Sequence, residues 1–424
     1  MQGDSDNRND RGTVSIDGAA HDGTTADGGA AQAAGHTATV AALRRQRRAF
    51  LQGAAASATV VAAAPAIAQS GPSVRWRLQS SFPKSLDTLF GAAQMFCERI
   101  DRLTSGRFQI RPFAAGEIVG GLQVLDAVQN GTIEMGHTAS YYYIGRNRSL
   151  AFDTAVPFGL NARQQNAWMY YGGGLELMRE VMREFNVMNF PAGSTGTQMG
   201  GWFRREIRSL KDMQGLRFRI PGLAGEMLSR IGVLPQVIAP ADIYSSLERG
   251  TIDATEFVGP YDDEKLGFAK VTKFYYYPGF WEGGAQLSMY VGLKEWEKLP
   301  REFQQAIDVA SAEINVNMLA EYDAKNPPAL ARIQKTGVQV RAFPVDVMVA
   351  AQKAAFQIYD EEAAKNPSFA KIYANWRAFR DAQHAWHRTA DLSFDSFVLN
   401  NPPGAPAAPA ASTAPASPAA PAKK

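Results

Sequence analysis

The chain has 424 residues, 46% hydrophobic and 20% charged, so collagen-like, fibrous and wholly disordered architectures are excluded and a two-domain globular protein is the starting expectation. Residues 1–68 hold six arginines and six aspartates and the last two residues are lysines, which leaves 36 basic against 35 acidic groups in residues 69–401; so even a balance carries no nucleic-acid footprint. The one cysteine, Cys97, excludes an intrachain disulfide, a CxxC zinc knuckle and dithiol redox chemistry, and its apolar setting suits a small buried side chain better than a nucleophile.

Residues 1–43 are rich in Gly, Ala, Asp and Thr and hold too few large apolar side chains to offset the entropy of ordering them. Arg44-Arg45-Gln46-Arg47-Arg48-Ala49-Phe50-Leu51 follows, then a weakly apolar run over 53–64 and Ala66-Ile67-Ala68. This resembles a twin-arginine export signal: Arg47-Arg48 with Phe50-Leu51 fits the pair and its apolar followers, and Ala66-Ile67-Ala68 places cleavage after Ala68. The alternative is an uncleaved anchor, but 53–68 is short and alanine-rich against the roughly 20 apolar residues a hydrocarbon core requires. The expected location is the periplasm of a bacterium. Residues 402–424 are almost wholly Pro, Ala and Ser, the composition of an extension rather than a packing element.

Between these ends strands and helices alternate. Val74–Leu78 has a period-2 pattern, Leu86–Leu103 an amphipathic helical one, Arg107–Pro112 alternates again, and Leu122–Gln129 is a short helix stopped by Asn130-Gly131. The rhythm predicts an α/β fold with mainly parallel strands. Gln129-Asn130-Gly131-Thr132-Ile133-Glu134 is echoed by Glu248-Arg249-Gly250-Thr251-Ile252-Asp253, each reading as helix end, glycine cap and strand entry. Two related halves would produce this echo, as would chance; if the halves face each other, the segments beyond both strands point at a common cleft. After Pro300 the pattern turns helical, over Phe303–Tyr322, Val345–Ala364 and Phe369–His387.

A search for catalytic motifs finds no GxSxG elbow, no GxGxxG after a strand, no P-loop and no HExxH. His384 and His387 lie a helical turn apart near Asp381 and Asp391, which suits a metal or, equally, a solvated helix face. His137 follows the strand 133–136 and either lines the cleft or serves the core. Recognition chemistry is better represented. In Leu216-Arg217-Phe218-Arg219-Ile220-Pro221 the arginines share one strand face, and Arg219 offers its guanidinium to a carboxylate or to solvent. Glu256 and Glu282 stand in apolar, glycine-rich settings where a buried carboxylate requires a partner. Tyr141-Tyr142-Tyr143 and Tyr275-Tyr276-Tyr277, with Phe280 and Trp281, supply cleft walls or core.

From Trp76 to about Trp296 the sequence resembles the extracytoplasmic solute receptors of tripartite ATP-independent periplasmic (TRAP) transporters, closest to the branch that binds 2-oxoacids such as pyruvate. The resemblance rests on Leu78-Gln79-Ser80-Ser81-Phe82-Pro83, Ala115-Gly116-Glu117-Ile118-Val119, residues 129–138, Ala155-Val156-Pro157-Phe158-Gly159-Leu160, Gln198-Met199-Gly200-Gly201-Trp202-Phe203-Arg204 and residues 259–268. It implies an α/β two-domain periplasmic-binding-protein clamshell with a helical C-terminal extension and no catalytic activity. The implied boundaries are 69–197 with 285–335 for the first domain, 198–284 for the second, and 336–401 for the helical segment. Arg219 would fix the ligand carboxylate, with Gln198, Phe257, Tyr142 and Tyr143 also lining the ligand site. Gln198, Glu256, the Phe257 carbonyl and Glu282 would hold a cation, Na⁺ or alternatively Ca²⁺. The branch pattern has tryptophan where this chain has Phe257, which keeps a backbone ligand but loses an indole N–H. A 2-hydroxyacid such as lactate is the alternative ligand; a dicarboxylate would need a second cationic anchor, for which Arg204 and Arg205 are the candidates. The resemblance further implies membrane subunits as partners and a homodimer in which a C-terminal helix is exchanged. The apolar stripe Val345, Met348, Val349, Ala355, Phe356 and Tyr359 either serves that contact or packs on the chain's own domains.

Overall fold

A computed structural model describes residues 71–403. The expected export signal, its cleavage point and nearly all of the Pro/Ala-rich tail lie outside the described residues. Strand β1 (Val74–Ser80), helix α1 (Leu89–Leu103), strand β2 (Phe108–Phe113), helix α2 (Val124–Gln129) and strand β3 (Met135–Thr138) follow the expected alternation. Period 2 buries Trp76 and Leu78 in β1 and Phe108 and Ile110 in β2, while Leu89, Ala93, Phe96 and Ile100 turn inward from α1 at helical spacing. Cys97 is buried on α1, where burial pushes its thiol pKa up, in keeping with a packing role. Short helices α3 (Ala151–Thr154), α4 (Ala162–Tyr171) and α5 (Gly174–Arg183) lead into β4 (Val187–Ser194).

The chain then builds a second sheet from β5 (Gly201–Phe203), β6 (Arg217–Arg219), α6 (Gly222–Arg230), β7 (Leu234–Gln236), α7 (Ile243–Glu248), β8 (Ala254–Thr255), α8 (Pro260–Leu266) and β9 (Phe274–Tyr277). It returns through β10 (Gln286–Gly292) and α9 (Leu293–Lys298) to the long helix α10 (Arg301–Lys335), then β11 (Gln339–Ala342), α11 (Val345–Lys365), α12 (Pro367–Thr389) and α13 (Asp391–Asn400). The two sheets have strand orders β2-β1-β3-β10-β4 and β11-β9-β5-β8-β6-β7. This is the expected clamshell of two α/β lobes. Among the described residues no helix is long and apolar enough to cross a membrane.

Four expectations need correction. The sheets are mixed rather than mainly parallel, with five parallel and four antiparallel pairings. The antiparallel ones involve β10 and β5, which run back into a sheet after the chain has crossed between lobes. The segment 336–401 is not wholly helical, since β11 forms the edge of the second sheet beside β9. The stripe expected on α11 packs only in part: Ala355 and Tyr359 are buried and Met348 and Phe356 lie half-buried against the core, but Val345 and Val349 are exposed, and Val347, Ala351, Ala354 and Ile358 join the buried face instead. Helix α10 also outruns its expected end at Tyr322 and passes through Pro327-Pro328. Tyr322, Ala329 and Ile333 are buried along it, and that packing outweighs the roughly 3 kcal/mol a helical proline costs.

The echoed segments fold alike. Gly131 and Gly250 adopt φ of +70° and +73°, a region open to glycine, and donate their N–H groups to Val128 and Leu247; Thr132 and Thr251 donate to Ala127 and Ser246. One strand away, Glu134 accepts from the backbone and guanidinium of Arg77 on β1, and Asp253 accepts in the same way from Arg217 on β6. The register pairs Leu78 with Met135 and Phe218 with Ala254. Arg219 therefore occupies in the second lobe the place Gln79 holds in the first, and Glu256 the place of His137.

Candidate functional site

Arg219 ends β6 beside β8 and is 1% exposed, as is its partner Glu256 just past β8. The Arg219 Nη1 donates to the Glu256 carboxylate and Nε donates to the Ile238 carbonyl at 3.0 Å, while Nη2 has no partner. The guanidinium lies 5.8 Å from the centroid of the Phe257 ring, a cation–π arrangement. Its fork is thus partly engaged within the protein, with Nη2 left for an acceptor.

Three chain segments meet where the chain crosses between lobes. Gln198 N–H donates to the Glu282 carbonyl at 3.2 Å, Met199 N–H to the Val258 carbonyl at 3.1 Å and Gly279 N–H to the Gln198 carbonyl at 2.9 Å. These bonds bring Gln198, Glu256, Phe257 and Glu282 together. The glycines after Glu282 serve the same crossing, since a Cβ on Gly284 would lie 2.3 Å from the Ala162 nitrogen. Gln198 Nε2 donates to Thr195 Oγ1 at 3.1 Å, leaving Gln198 Oε1 and Glu282 Oε2 buried without a donor. Unpartnered buried oxygens are rare in folded proteins, and an all-oxygen set with two carboxylates suits a hard cation. Glu282, Glu256, Gln198 and the Phe257 carbonyl therefore fit such an ion. Burial raises the pKa of Glu282 well above the carboxylate range, with the Glu256 charge adding to the rise; burial also pushes Glu256 up, against the pull of Arg219.

A narrow cavity, with about 20 Å³ of room for water centres, opens onto this cluster. Its polar side is made by Gln198, Arg219, Tyr142 and Thr195, and Phe257 and Val258 complete that wall. The rest of the lining is apolar: Phe82 from the segment before α1, Leu89 at the start of α1, Ala139 after β3, Ala285 just before β10 and Leu287 within it. Tyr141 and Tyr142, on the 3-10 turn Ser140–Tyr143, close it. Tyr141 packs on Gly222 of the second lobe, where a Cβ would lie 2.7 Å from its ring.

Gln198, Arg219, Phe257 and Tyr142 thus line one cavity, with Glu256 and Glu282 buried beside it. Tyr143 does not join them: its hydroxyl lies 2.8 Å from Thr138 Oγ1 and accepts from Leu125 N–H at 3.3 Å, because successive residues of a 3-10 turn point about 120° apart. Tyr141 faces the cavity instead. Phe82 lies in the motif Leu78-Gln79-Ser80-Ser81-Phe82-Pro83; Leu89, Ala139, Thr195, Ala285 and Leu287 carry no sequence signal that would single them out. His137 is buried within β3, 3.3 Å from Ser80 Oγ, and burial lowers its pKa to about 3; it does not line the cavity. Arg204 and Arg205 point elsewhere, Arg204 to the Leu247 and Glu248 carbonyls and Arg205 to the Asp212 and Gln214 carbonyls. On α12 and α13, Asp391 pairs with Arg163 and His387 while Asp381 pairs with Arg380. Among the described residues no group of three His, Cys, Asp or Glu side chains converges on a metal position.

Comparison with known proteins identifies the family. The family model for DctP, the bacterial extracellular solute-binding protein family 7, matches residues 79–366. A monocarboxylate 2-oxoacid-binding periplasmic protein of Nostoc is 53% identical over 330 residues, covering 78% of this chain and 90% of that protein. A TRAP transporter solute-binding protein from Bordetella bronchiseptica, a dimer with calcium and picolinate in one active site, is 49% identical with a TM-score of 0.77, covering 78% of this chain and 98% of that one. A TRAP periplasmic solute-binding protein from Pseudoalteromonas atlantica, with bound sodium and pyruvate, is 37% identical with a TM-score of 0.74, covering 76% and 99%.

Proposed function

Because the chain belongs to family 7 of the bacterial extracellular solute-binding proteins and is a TRAP solute receptor, we propose that its cleft captures a small 2-oxoacid such as pyruvate together with a cation. The ligand leaves chemically unchanged, for delivery to the membrane subunits of the transporter. The observation that carries this reading is the set of unpaired buried groups at one cavity. Arg219 Nη2 has no acceptor, and Gln198 Oε1 and Glu282 Oε2 have no donor. A 2-oxoacid bound through a cation supplies both wants: a carboxylate oxygen for Nη2, and a metal, chelated by its carboxylate and carbonyl oxygens, for the two protein oxygens. The apolar wall takes its carbon chain. The engagement of Arg204 and Arg205 elsewhere leaves no second cationic anchor at this cavity, so dicarboxylates are disfavoured.

Na⁺ and Ca²⁺ are separated by charge. Arg219 is +1 and Glu256, Glu282 and the ligand are each −1, so Ca²⁺ neutralises the site and Na⁺ leaves one negative charge. The twin-arginine-like segment Arg47-Arg48 with Phe50-Leu51 supports export of this receptor to the periplasm by that route. Helix α13 supports a homodimer: Phe394, Phe397 and Leu399 are exposed, as are Leu392 and Val398, and none of its residues is buried. A second chain covering this face would remove it from water.

A thermal-shift panel of 2-oxoacids, 2-hydroxyacids and dicarboxylates, with and without Na⁺ or Ca²⁺, tests the proposal. A ligand at about 100 times its Kd stabilises by about 2.7 kcal/mol. Stabilisation by pyruvate or 2-oxobutyrate with a cation, and recovery of the unaltered acid, is expected. A response to lactate alone would move the reading to 2-hydroxyacids, a response to dicarboxylates alone would refute it, and turnover of the acid would make the protein an enzyme.

A further inference from the structure

We infer that Asp153 is a positioning residue for the ligand cavity, tying the tyrosine turn that closes it to the strands that carry its apolar wall. The inference rests on the reading of that cavity as the ligand site. Asp153 lies in α3 and is fully buried, along with Ser140, Asn189 and Ser288. Its Oδ2 accepts from the hydroxyls of Ser140 and Ser288, the latter at 2.7 Å, and its Oδ1 accepts from Asn189 Nδ2 at 2.7 Å. The Asp153 carbonyl accepts from Gln286 Nε2 at 2.8 Å, and the Tyr290 hydroxyl donates to Ser140 Oγ at 2.5 Å.

The placement of these partners gives the network its meaning. Ser140 immediately precedes Tyr141 and Tyr142, which face the cavity. Gln286 and Ser288 flank Leu287 on β10, and Ala285 comes just before them; Ala285 and Leu287 form part of the apolar wall. Asn189 lies on β4, the neighbour of β10. One carboxylate thus fixes two cavity walls relative to each other. Among the described residues no Lys or Arg forms an ion pair with Asp153, and a buried carboxylate without a countercharge is a costly way to fill a core. Its four oxygen lone-pair sites can gather three donors from three segments, which no apolar side chain of that size does.

The role is geometric, so an isosteric amide should serve. In Asp153→Asn the amide oxygen accepts from Ser140 and Ser288, and its NH₂ donates to Asn189 Oδ1, which now lacks a donor, once the Asn189 amide flips. The experiment compares wild type, Asp153→Asn and Asp153→Ala by calorimetry with pyruvate and Ca²⁺, and by hydrogen exchange of the ligand-free proteins. Asp153→Ala is expected to bind roughly tenfold or more weakly, the scale of one or two lost hydrogen bonds to a charged group. Its amides at 140–143 and 285–288 should exchange faster while the rest of the lobe stays protected. Asp153→Asn should restore both measures to within about threefold of wild type on the same scale. If Asp153→Ala does not fold, Ser140→Ala removes the bonds that the Ser140 hydroxyl makes to Asp153 and Tyr290 and should raise exchange at 140–143 while 285–288 stays protected. Exchange is read without ligand, so a wild type that binds no 2-oxoacid overturns the proposed function and leaves this test intact. Unchanged exchange at 140–143 and 285–288 in the alanine variants, or an Asp153→Asn protein as impaired as Asp153→Ala, overturns the positioning role.

Discussion

Arg219 and Glu256 form an ion pair in which both side chains are 1% exposed, and the pair leaves one guanidinium nitrogen, Nη2, without a partner beside the cavity that Arg219 lines. The arginine is therefore held in place before any ligand arrives, and little ordering is left to be done on binding.

That geometry separates two substitutions. Arg219→Ala loses the ligand contact and also strands Glu256, and breaking a buried pair costs about 3–5 kcal/mol; a lower melting temperature and a loss of ligand binding are expected together. Arg219→Lys keeps the charge but cannot bond Ile238, Glu256 and ligand at once. Its fold should survive while calorimetry reads an affinity about 10–100-fold lower, one charge-assisted hydrogen bond's worth. Wild-type affinity in Arg219→Lys would remove Arg219 as the anchor.

Cation binding at the proposed site should be linked to protons. Burial holds the Glu282 pKa high, so an ion entering at Glu282 displaces a proton. Apparent cation affinity should rise with pH above the ordinary carboxylate range, and calorimetry in buffers of different ionisation enthalpy should show proton release. Glu282→Gln should abolish that release and weaken cation-dependent binding by roughly tenfold or more, given the loss of one charged ligand. Full 2-oxoacid affinity in sodium-free buffer after chelation contradicts the cation site.

Asp262 and Asp263 are buried on α8, where burial raises both to about 7. Asp262 accepts from the Tyr322 hydroxyl at 2.6 Å, and Asp263 from Tyr275 at 2.6 Å and Trp202 at 2.9 Å. A carboxyl raised on folding binds its proton more tightly in the folded state. Its contribution is present in full below the ordinary pKa of about 4 and is lost as pH rises toward about 7. Denaturant unfolding should show stability falling across that window by at most roughly 1.4 kcal/mol per pH unit for each group. Asp262→Asn and Asp263→Asn keep an acceptor oxygen and should flatten the fall. An identical slope in the double variant contradicts the assignment.

Light scattering at several concentrations tests the dimer. The chain without its export signal is expected to be dimeric, and truncation after Ala390, which removes α13 and its exposed Phe394 and Phe397, should yield a monomer. A concentration-independent monomer of the untruncated chain rejects the proposal.

Local patterning in the sequence was enough to read the α/β alternation, the doubled half marked by Gly131 and Gly250, and the segment holding Arg219. Each depends on residues close along the chain: period 2 against period 3.6, and a glycine where φ must be positive. The resemblance carried Gln198, Phe257 and the two glutamates, residues that spacing alone left undecided between cleft and surface. What only the tertiary structure decided is which of three adjacent tyrosines turns away from the cavity, that Arg219 meets the cavity already paired with Glu256, and that Asp153 stands behind both walls. These depend on contacts between residues far apart in sequence, where side-chain direction follows from packing across lobes and no local pattern encodes it. The mixed strand directions and the strand inside the helical C-terminal segment have the same origin, since the partner of an edge strand is set by where the chain returns, which β11 finds only beside β9.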